Sequence, residues 1–351
     1  MPRAKTLTRV DDLMAAALMG SDGLRTLEAV AARYTVAVTP AMAGLIDPAD
    51  ANDPIGLQFL PQARELNLTE GEDADPIGDE AKSPVKGVVH RYPDRVLLTP
   101  TLLCATYCRF CFRRERVGPS RGASLTATEL EAALAYIAAR PQVWEVILTG
   151  GDPLVLSTRR LRELMGALSA IDHVKVVRIH TRVPAVAPER ITAPLIRALR
   201  AGDKAVFVAL HANHARELTA EARAACARLI DSGIPMLSQS VLLRGVNDAP
   251  ERLEALMRAF VETRIRPYYL HHGDAAPGTA HLRLSLQEGQ ALVRSLRGRL
   301  SGLAQPTFVL DIPGGHGKVP VGRAYLSQDG AVVEDPWGVS HSLAPADRAE
   351  A

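Results

Sequence analysis

Cysteine is scarce in this chain, with four in 351 residues and none after Cys226. Also missing is any apolar run approaching the roughly 20 residues that a membrane-crossing helix needs, so no membrane partner is expected. The amino terminus, MPRAKTLTRVDDLMAAALMG, carries basic residues, but its apolar stretch is short, broken by charge and without a clear cleavage site. A signal peptide is therefore not expected. Neither sign of charge is in excess, since 41 basic residues face 39 acidic ones for a net +2. That balance removes the electrostatic case for nucleic acid or a membrane surface and leaves a small-molecule substrate. No H-x3-H spacing is present to hold zinc on a helix. A chain of this length buries enough surface for a large α/β core plus a smaller amino-terminal segment, without disulfide or metal staples.

Three of the four cysteines fall together in TLLCATYCRFCFRRERVG, as Cys104, Cys108 and Cys111. The spacing C-x3-C-x2-C supplies one thiolate fewer than a four-coordinate metal site or a cubic 4Fe–4S cluster takes. A cluster held this way keeps one iron open to a ligand. A zinc site completed by a distant histidine, or plain buried cysteines, are the competing readings. Aromatic Tyr107, Phe110 and Phe112 around the thiols would shield a cluster from water. Thiols needed in reduced form suit a cytoplasmic location.

From about Arg95 to Pro313, short Val/Ile-rich runs alternate with amphipathic helical stretches. VLLTP, VWEVILTG, VKVVRIHT, KAVFVAL, PMLSQSV and RPYYLHH have the length and composition of buried strands. Between them come LEAALAYIAA, STRRLRELMGALSAI, PERITAPLIRALRA, HARELTAEARAACARLIDSG and APERLEALMRAF, with LSLQEGQALVRSLRGRL after the last strand. Six such units predict an α/β fold, a partial (β/α)6 TIM-like barrel rather than a closed eightfold one. The expected divisions are a small helical amino-terminal region and connector over 1–85, the barrel over 86–302, and a carboxy-terminal extension over 303–351. YLSQDGAVVEDP reads as a hairpin turning at Asp329-Gly330, and the last residues as disordered.

Active groups of such a barrel belong at the carboxyl ends of its strands. The cysteine run follows the first strand, and TGGDPL, with Gly150, Gly151 and Asp152, follows the second. The glycines allow close approach to a ligand and Asp152 could accept from an ammonium, although a plain strand-to-helix turn has the same composition. Later strand ends present His180, Arg182, His211, Asn213, His214, Gln239 and Asn247, with His211 and Gln239 favoured as cofactor contacts. The run LDIPGGHGKVPVG places Lys318 beyond a glycine loop. It fails the phosphate-loop template because Val319 stands where Ser or Thr is needed. A lysine amine can form a Schiff base with pyridoxal phosphate, and an exposed lysine in a Gly-rich turn is the plain alternative.

The cysteine spacing and TGGD resemble the radical S-adenosylmethionine superfamily. Taken with DPIGLQFLP, DPIGDE, HRYPDR, SGIPMLSQSVLLRGVND, RPYYLHHGDAAPGTAHLR and DIPGGHGK, the chain is similar to the lysine 2,3-aminomutase family from about Asp53 to Val321. The resemblance implies a 4Fe–4S cluster on Cys104, Cys108 and Cys111, and S-adenosylmethionine at Gly150, Gly151 and Asp152. It implies pyridoxal 5'-phosphate on Lys318, with Arg91 and Arg95 near the phosphate. It further implies Arg113 on the substrate α-carboxylate, and Asp274 with Asp311 on the far ammonium of lysine. An isomerase is then expected, moving the 2-amino group of L-lysine to C3 through a 5'-deoxyadenosyl radical. A flavodoxin- or ferredoxin-type electron donor and a homo-oligomer go with it.

The chain departs from the longer clostridial-type members, which carry carboxy-terminal zinc-binding cysteines. Its short amino-terminal region is similar to the branch that supplies β-lysine for elongation factor P, while DIPGGHGK is closer to the free-lysine branch. Glutamate or arginine as substrate remains an alternative. So do a radical enzyme without pyridoxal phosphate acting on RNA or a peptide, and a non-enzymatic iron–sulfur or zinc protein.

Overall fold

The computed structural model describes residues 5–119 and 124–343. The carboxy-terminal residues expected to be disordered lie from 344 onward, outside the described residues.

One nine-stranded sheet follows chain order from end to end. Its strands are β1 (Val88–Tyr92), β2 (Arg95–Thr101), β3 (Glu145–Gly150), β4 (Val176–Thr181), β5 (Ala205–His211), β6 (Met236–Val241), β7 (Ile265–His271), β8 (Thr307–Ile312) and β9 (Gly317–Pro320). From β2 to β8 every neighbouring pair is parallel. β1 and β9 flank them as antiparallel edges. All six expected strands are present within β2 to β7. The sheet goes further than expected, because PTFVLDI adds β8 to the parallel set and GKVP folds back on it as β9. A parallel-rich barrel-like sheet of this kind agrees with the partial TIM-like expectation.

Parallel strands need crossover connections, and helices packed outside the sheet provide them. Their starts follow local chemistry. Thr126 caps the helix Ala127–Ala138 and shares a capping box with Glu129, while Ser157, Thr219 and Ser285 cap Thr158–Ser169, Ala220–Asp231 and Leu286–Ser295. Each cap satisfies an amide that the first helical turn leaves unpaired, worth about 1 kcal/mol. PERITAPLIRALRA is not one helix. A short turn at Pro188–Arg190 precedes a helix at Ala193–Leu199 capped by Thr192, since proline ends the first piece and restarts the second. Cys226 is fully buried in the core cluster, which makes it a packing residue.

Among the described residues the amino-terminal region has four short helices, Val10–Ala15, Leu24–Arg33, Pro40–Ala43 and Gly56–Phe59. Near the carboxyl end, β10 (Val332–Glu334) pairs with β11 (Ser340–Ser342) around Asp335–Gly338. The expected turn at Asp329-Gly330 folds Leu326 back on Val333 in one antiparallel bridge, with the Ser327 amide donating to Val332 O at 2.9 Å and the Glu334 amide to Tyr325 O at 2.8 Å, and the β10–β11 pair follows it as a second turn.

Candidate active site

The cysteine loop leaves β2 and is pinned from outside by the amino-terminal region. Thr106 Oγ1 donates to Ala37 O at 2.6 Å, the Arg109 amide to Gln58 O at 2.8 Å, and Arg109 Nη1 to Thr35 O at 3.0 Å. Beneath the loop, Glu65 is wholly buried and accepts from Arg109 Nη2 at 2.7 Å and from Arg114. Burial alone would raise this carboxyl, but the two guanidiniums hold it below its ordinary range. A buried carboxylate survives only with such partners.

The thiols share one environment. Burial and the charge of Asp152 push Cys104 well up, and burial with the neighbouring Cys108 pushes Cys111 up to about 11. Arg182 Nη1 donates to Cys108 Sγ at 3.0 Å while its Nη2 binds Glu217 and Gln58. Buried thiols beside a fixed guanidinium fit a group that binds them as thiolates and brings its own positive charge. No three ligating side chains among the described residues converge as they would on a single metal ion. A multi-iron cluster spreads its thiolates more widely than one ion does.

TGGD sits directly against this loop. A Cβ on Gly151 would lie 2.2 Å from Leu103 O, and one on Gly150, whose φ is +107°, would lie 2.0 Å from Thr99 Cγ2. The Gly151 and Asp152 amides donate to Thr101 O and Leu103 O, both at 2.8 Å. Asp152, expected to accept from an ammonium, is held by donors of the fold itself. Its carboxylate already accepts from Thr181 Oγ1 at 2.7 Å, the Arg182 amide at 2.8 Å and the Leu154 amide at 3.0 Å. Asp152 holds the turn together, and the glycines give the close backbone approach.

Across the barrel mouth, His211 and Gln239 are register partners on β5 and β6, and the His180 and His211 rings lie 5.6 Å apart. Burial lowers His211 to about 3, and its Nε2 is buried without a partner. A neutral imidazole with an unpaired nitrogen can serve a ligand. Asn213 and Asn247 instead bond loop backbone, and His214 caps the turn at Ala215–Glu217. These three are framework residues.

On the other side, Lys318 and Asp311 face each other across β8 and β9, with Nζ 2.9 Å from Oδ1. His271 Nδ1 contacts Asp311 Oδ2 at 3.3 Å. Burial opposes ionisation of Asp311, yet His271 and Lys318 hold it well below the usual carboxylate range. Burial and the Asp311 charge push Asp274 up to about 7. The Lys318 amide donates to Tyr92 Oη at 2.7 Å, and the Arg95 guanidinium lies 3.8 Å from the Tyr92 ring centre. Arg91 Nη2 donates to Asp79 Oδ1 at 3.0 Å, and its Nε is buried with no partner. Arg113 closes a fork on the other oxygen, Oδ2, at 3.0 and 2.8 Å. Thus Asp79 joins the arginine expected near a phosphate to the one expected on a substrate carboxylate. The unpaired Arg91 Nε and the neighbouring Arg95 fit an anionic phosphate beside Lys318.

Sequence reasoning did not single out Glu65, Asp79, Tyr92, Glu217 or His271. Only DPIGDE hinted at Asp79, through resemblance. The other expected residues converge on the barrel mouth and the adjoining cysteine loop.

A family model described as the Radical SAM superfamily matches residues 98–258, and one described as Lysine-2,3-aminomutase matches 293–338. The L-lysine 2,3-aminomutase of Clostridium subterminale is 42% identical over 87% of this chain and 73% of its own length. That of Acetoanaerobium sticklandii is also 42% identical, over 83% and 70%. The glutamate 2,3-aminomutase of Clostridioides difficile is 34% identical over 92% and 76%.

Proposed function

Since the chain belongs to the lysine 2,3-aminomutase family of radical S-adenosylmethionine isomerases, we propose that it converts L-lysine to β-lysine by moving the 2-amino group to C3. The family works with a 4Fe–4S cluster, S-adenosylmethionine and pyridoxal phosphate. When bound, these supply a carbon radical and a π-system that carries the amino group from one carbon to the next.

The observation that carries the choice of substrate is the pair Asp274 and Asp311 beside Lys318. The Asp274 carboxyl is pushed up by burial and by Asp311, so an entering ammonium relieves an electrostatic cost already present. A substrate ending in a carboxylate would add to it. That contrast favours lysine over glutamate, although a glutamate 2,3-aminomutase is among the relatives. At the other end of the substrate, Arg113 offers a planar fork already oriented by Asp79.

The remaining side chains hold the parts in place. Cys104, Cys108 and Cys111 hold the cluster, with Arg182 steadying Cys108. Gly150 and Gly151 admit S-adenosylmethionine close to the loop, near His211 and Gln239. Arg91 and Arg95 hold the cofactor phosphate, and Lys318 attaches the cofactor. Holding reacting atoms together away from water lets the radical meet its intended carbon. The reading also assigns a flavodoxin- or ferredoxin-type reductant, a homo-oligomeric assembly and a reducing, cytoplasmic setting. Structurally, no helix among the described residues is long and apolar enough to cross a membrane.

Anaerobic, cluster-reconstituted protein with pyridoxal phosphate, dithionite, S-adenosylmethionine and L-lysine tests the proposal, with α- and β-lysine separated by chiral chromatography. β-Lysine is the expected product. Deoxyadenosine released without any lysine isomer would reject the substrate. Lys318→Ala should keep its iron and lose lysine turnover, and wild-type turnover in that variant would remove Lys318 from its role.

A further inference from the structure

Asp79 places a negative charge between two sites that receive anions, and repulsion alone would weaken both. The residue is 2% exposed. Its Oδ1 accepts from Arg91 Nη2 at 3.0 Å, and its Oδ2 accepts from Arg113 Nε at 3.0 Å and Nη2 at 2.8 Å. We propose that Asp79 is a positioning residue that couples the two sites, so that filling the cofactor-phosphate site on Arg91 sharpens recognition of the substrate carboxylate by Arg113. This rests on the aminomutase reading, which assigns the two arginines their anions, and goes beyond it by making the two affinities interdependent.

The hydrogen bonds divide each guanidinium into a used and a free part. On Arg113, Nε and Nη2 form the side edge, and both point at one oxygen of Asp79. The guanidinium carbon lies 4.4 Å from the centre of the Phe112 ring, and Nη1 reaches Thr149 Oγ1 at 3.4 Å. The end edge, Nη1 with Nη2, is what remains for a carboxylate, and Asp79 sets its direction. On Arg91, Nη2 is used twice, by Asp79 and by Ile77 O at 2.8 Å. Its Nε is buried without a partner, so a phosphate would complete this guanidinium at Nε.

Asp79 is itself fixed at the main chain. Its amide donates to Asp75 Oδ1 at 2.9 Å, and its carbonyl accepts from Ser83 Oγ at 2.7 Å. The Asp75 carboxylate is held in turn by the Glu80 amide at 2.7 Å and by Arg116 Nη2 at 3.1 Å. The freedom left to Asp79 is rotation of its carboxylate, which is soft about the last bond and moves both oxygens together. A phosphate that immobilises Arg91 therefore fixes Oδ1, and with it Oδ2 and the free edge of Arg113. Such coupling is reciprocal, so the substrate carboxylate tightens the phosphate by the same factor. A carboxylate suits this task and an amide does not, because asparagine offers one acceptor oxygen and turns an NH2 donor on the other guanidinium.

The test uses anaerobic, cluster-loaded protein without S-adenosylmethionine and reads cofactor absorbance. Two affinity ratios isolate the two anions. One compares pyridoxal phosphate with pyridoxal. The other, at saturating pyridoxal phosphate, compares L-lysine with 1,5-diaminopentane, which is lysine without its carboxylate, so the far ammonium cancels. The wild type should favour the anionic member of each pair. Arg91→Lys alters only the phosphate side, yet it should lower the lysine preference about fivefold or more, as site-to-site coupling does. In an Asp79→Asn background, Arg91→Lys should leave that preference where Asp79→Asn alone puts it. Asp79→Asn should lower both ratios while pyridoxal and 1,5-diaminopentane bind as in the wild type, and Asp79→Glu, which keeps two acceptor oxygens, should recover part of each. A lysine preference unmoved by Arg91→Lys would make the sites independent and overturn the coupling, and this variant decides the matter if Asp79→Asn does not fold. Both ratios rising in Asp79→Asn would show the carboxylate acting by its charge alone, which also overturns it. A wild type without the lysine preference would take Arg113 off the substrate carboxylate, and the coupling with it. A wild-type enzyme showing no Lys318-dependent cofactor absorbance would instead overturn the aminomutase reading itself.

Discussion

Asp274→Asn has a sign and a size that follow from the ligand-free pocket. Burial and the neighbouring Asp311 carboxylate raise this group from its ordinary 3.8 to about 7. The folded protein therefore holds the proton more tightly than the unfolded chain does. That advantage is complete below the unfolded value and is lost as pH rises through about 7. Above it, the fold carries a poorly solvated carboxylate at a cost of up to about 4 kcal/mol, from roughly three pH units at about 1.4 kcal/mol each. Asparagine keeps the shape and cannot ionise, so the variant should be more stable than the wild type. The gain should be about 2 kcal/mol near pH 5 and about 4 kcal/mol near pH 8. Urea unfolding of the cofactor-free proteins at both pH values measures it. A gain that fails to grow between them would show that Asp274 is not a strained carboxylate, and the case for an ammonium pocket would go with it.

Three further outcomes follow from the geometry. Arg113→Lys replaces the fork on Asp79 with a point charge, so KM for lysine should rise about tenfold with a smaller change in kcat; steady-state kinetics would decide, and an unchanged KM would refute the carboxylate role. Gly150→Ala places a Cβ 2.0 Å from Thr99 Cγ2 at a φ of +107°, and should lower both Tm and iron content after reconstitution. Glu65→Gln leaves the charges of Arg109 and Arg114 without their shared carboxylate and should cost about 3–5 kcal/mol in urea unfolding; a loss under 1 kcal/mol would contradict the buried network.

What could be read from the sequence was whatever lies within one short stretch. The cysteine spacing, the paired glycines and the lysine after PGGHG each declare their chemistry locally, and strand and cap signals placed them near barrel ends. Partnerships across the chain were not legible. Asp152 read as a free acceptor because its partner Thr181 is 29 residues away. Glu65 meets Arg109 at a separation of 44 residues, and an isolated glutamate in a polar stretch looks like a solvated one. His271 lay inside a run recognised as a strand, where the alternation says which face a residue takes but not which carboxylate waits there. PTFVLDI, although apolar, showed its place in the parallel set only once β7 was beside it.

The sheet does not close on itself. β1 and β9 end it, and what joins them is a set of side-chain contacts, the Lys318 amide on Tyr92 Oη and Arg91 near Asp311. The Gly78 connector is packed so tightly on Gly314 and Gly315 that a Cβ would meet backbone at 2.4 Å. The lysine that would anchor the cofactor and the arginines that would grip its phosphate thus stand on opposite lips of one seam. A molecule bound to both would work as a clasp on an open ring, and slower amide exchange in β1 and β9 would record its fastening.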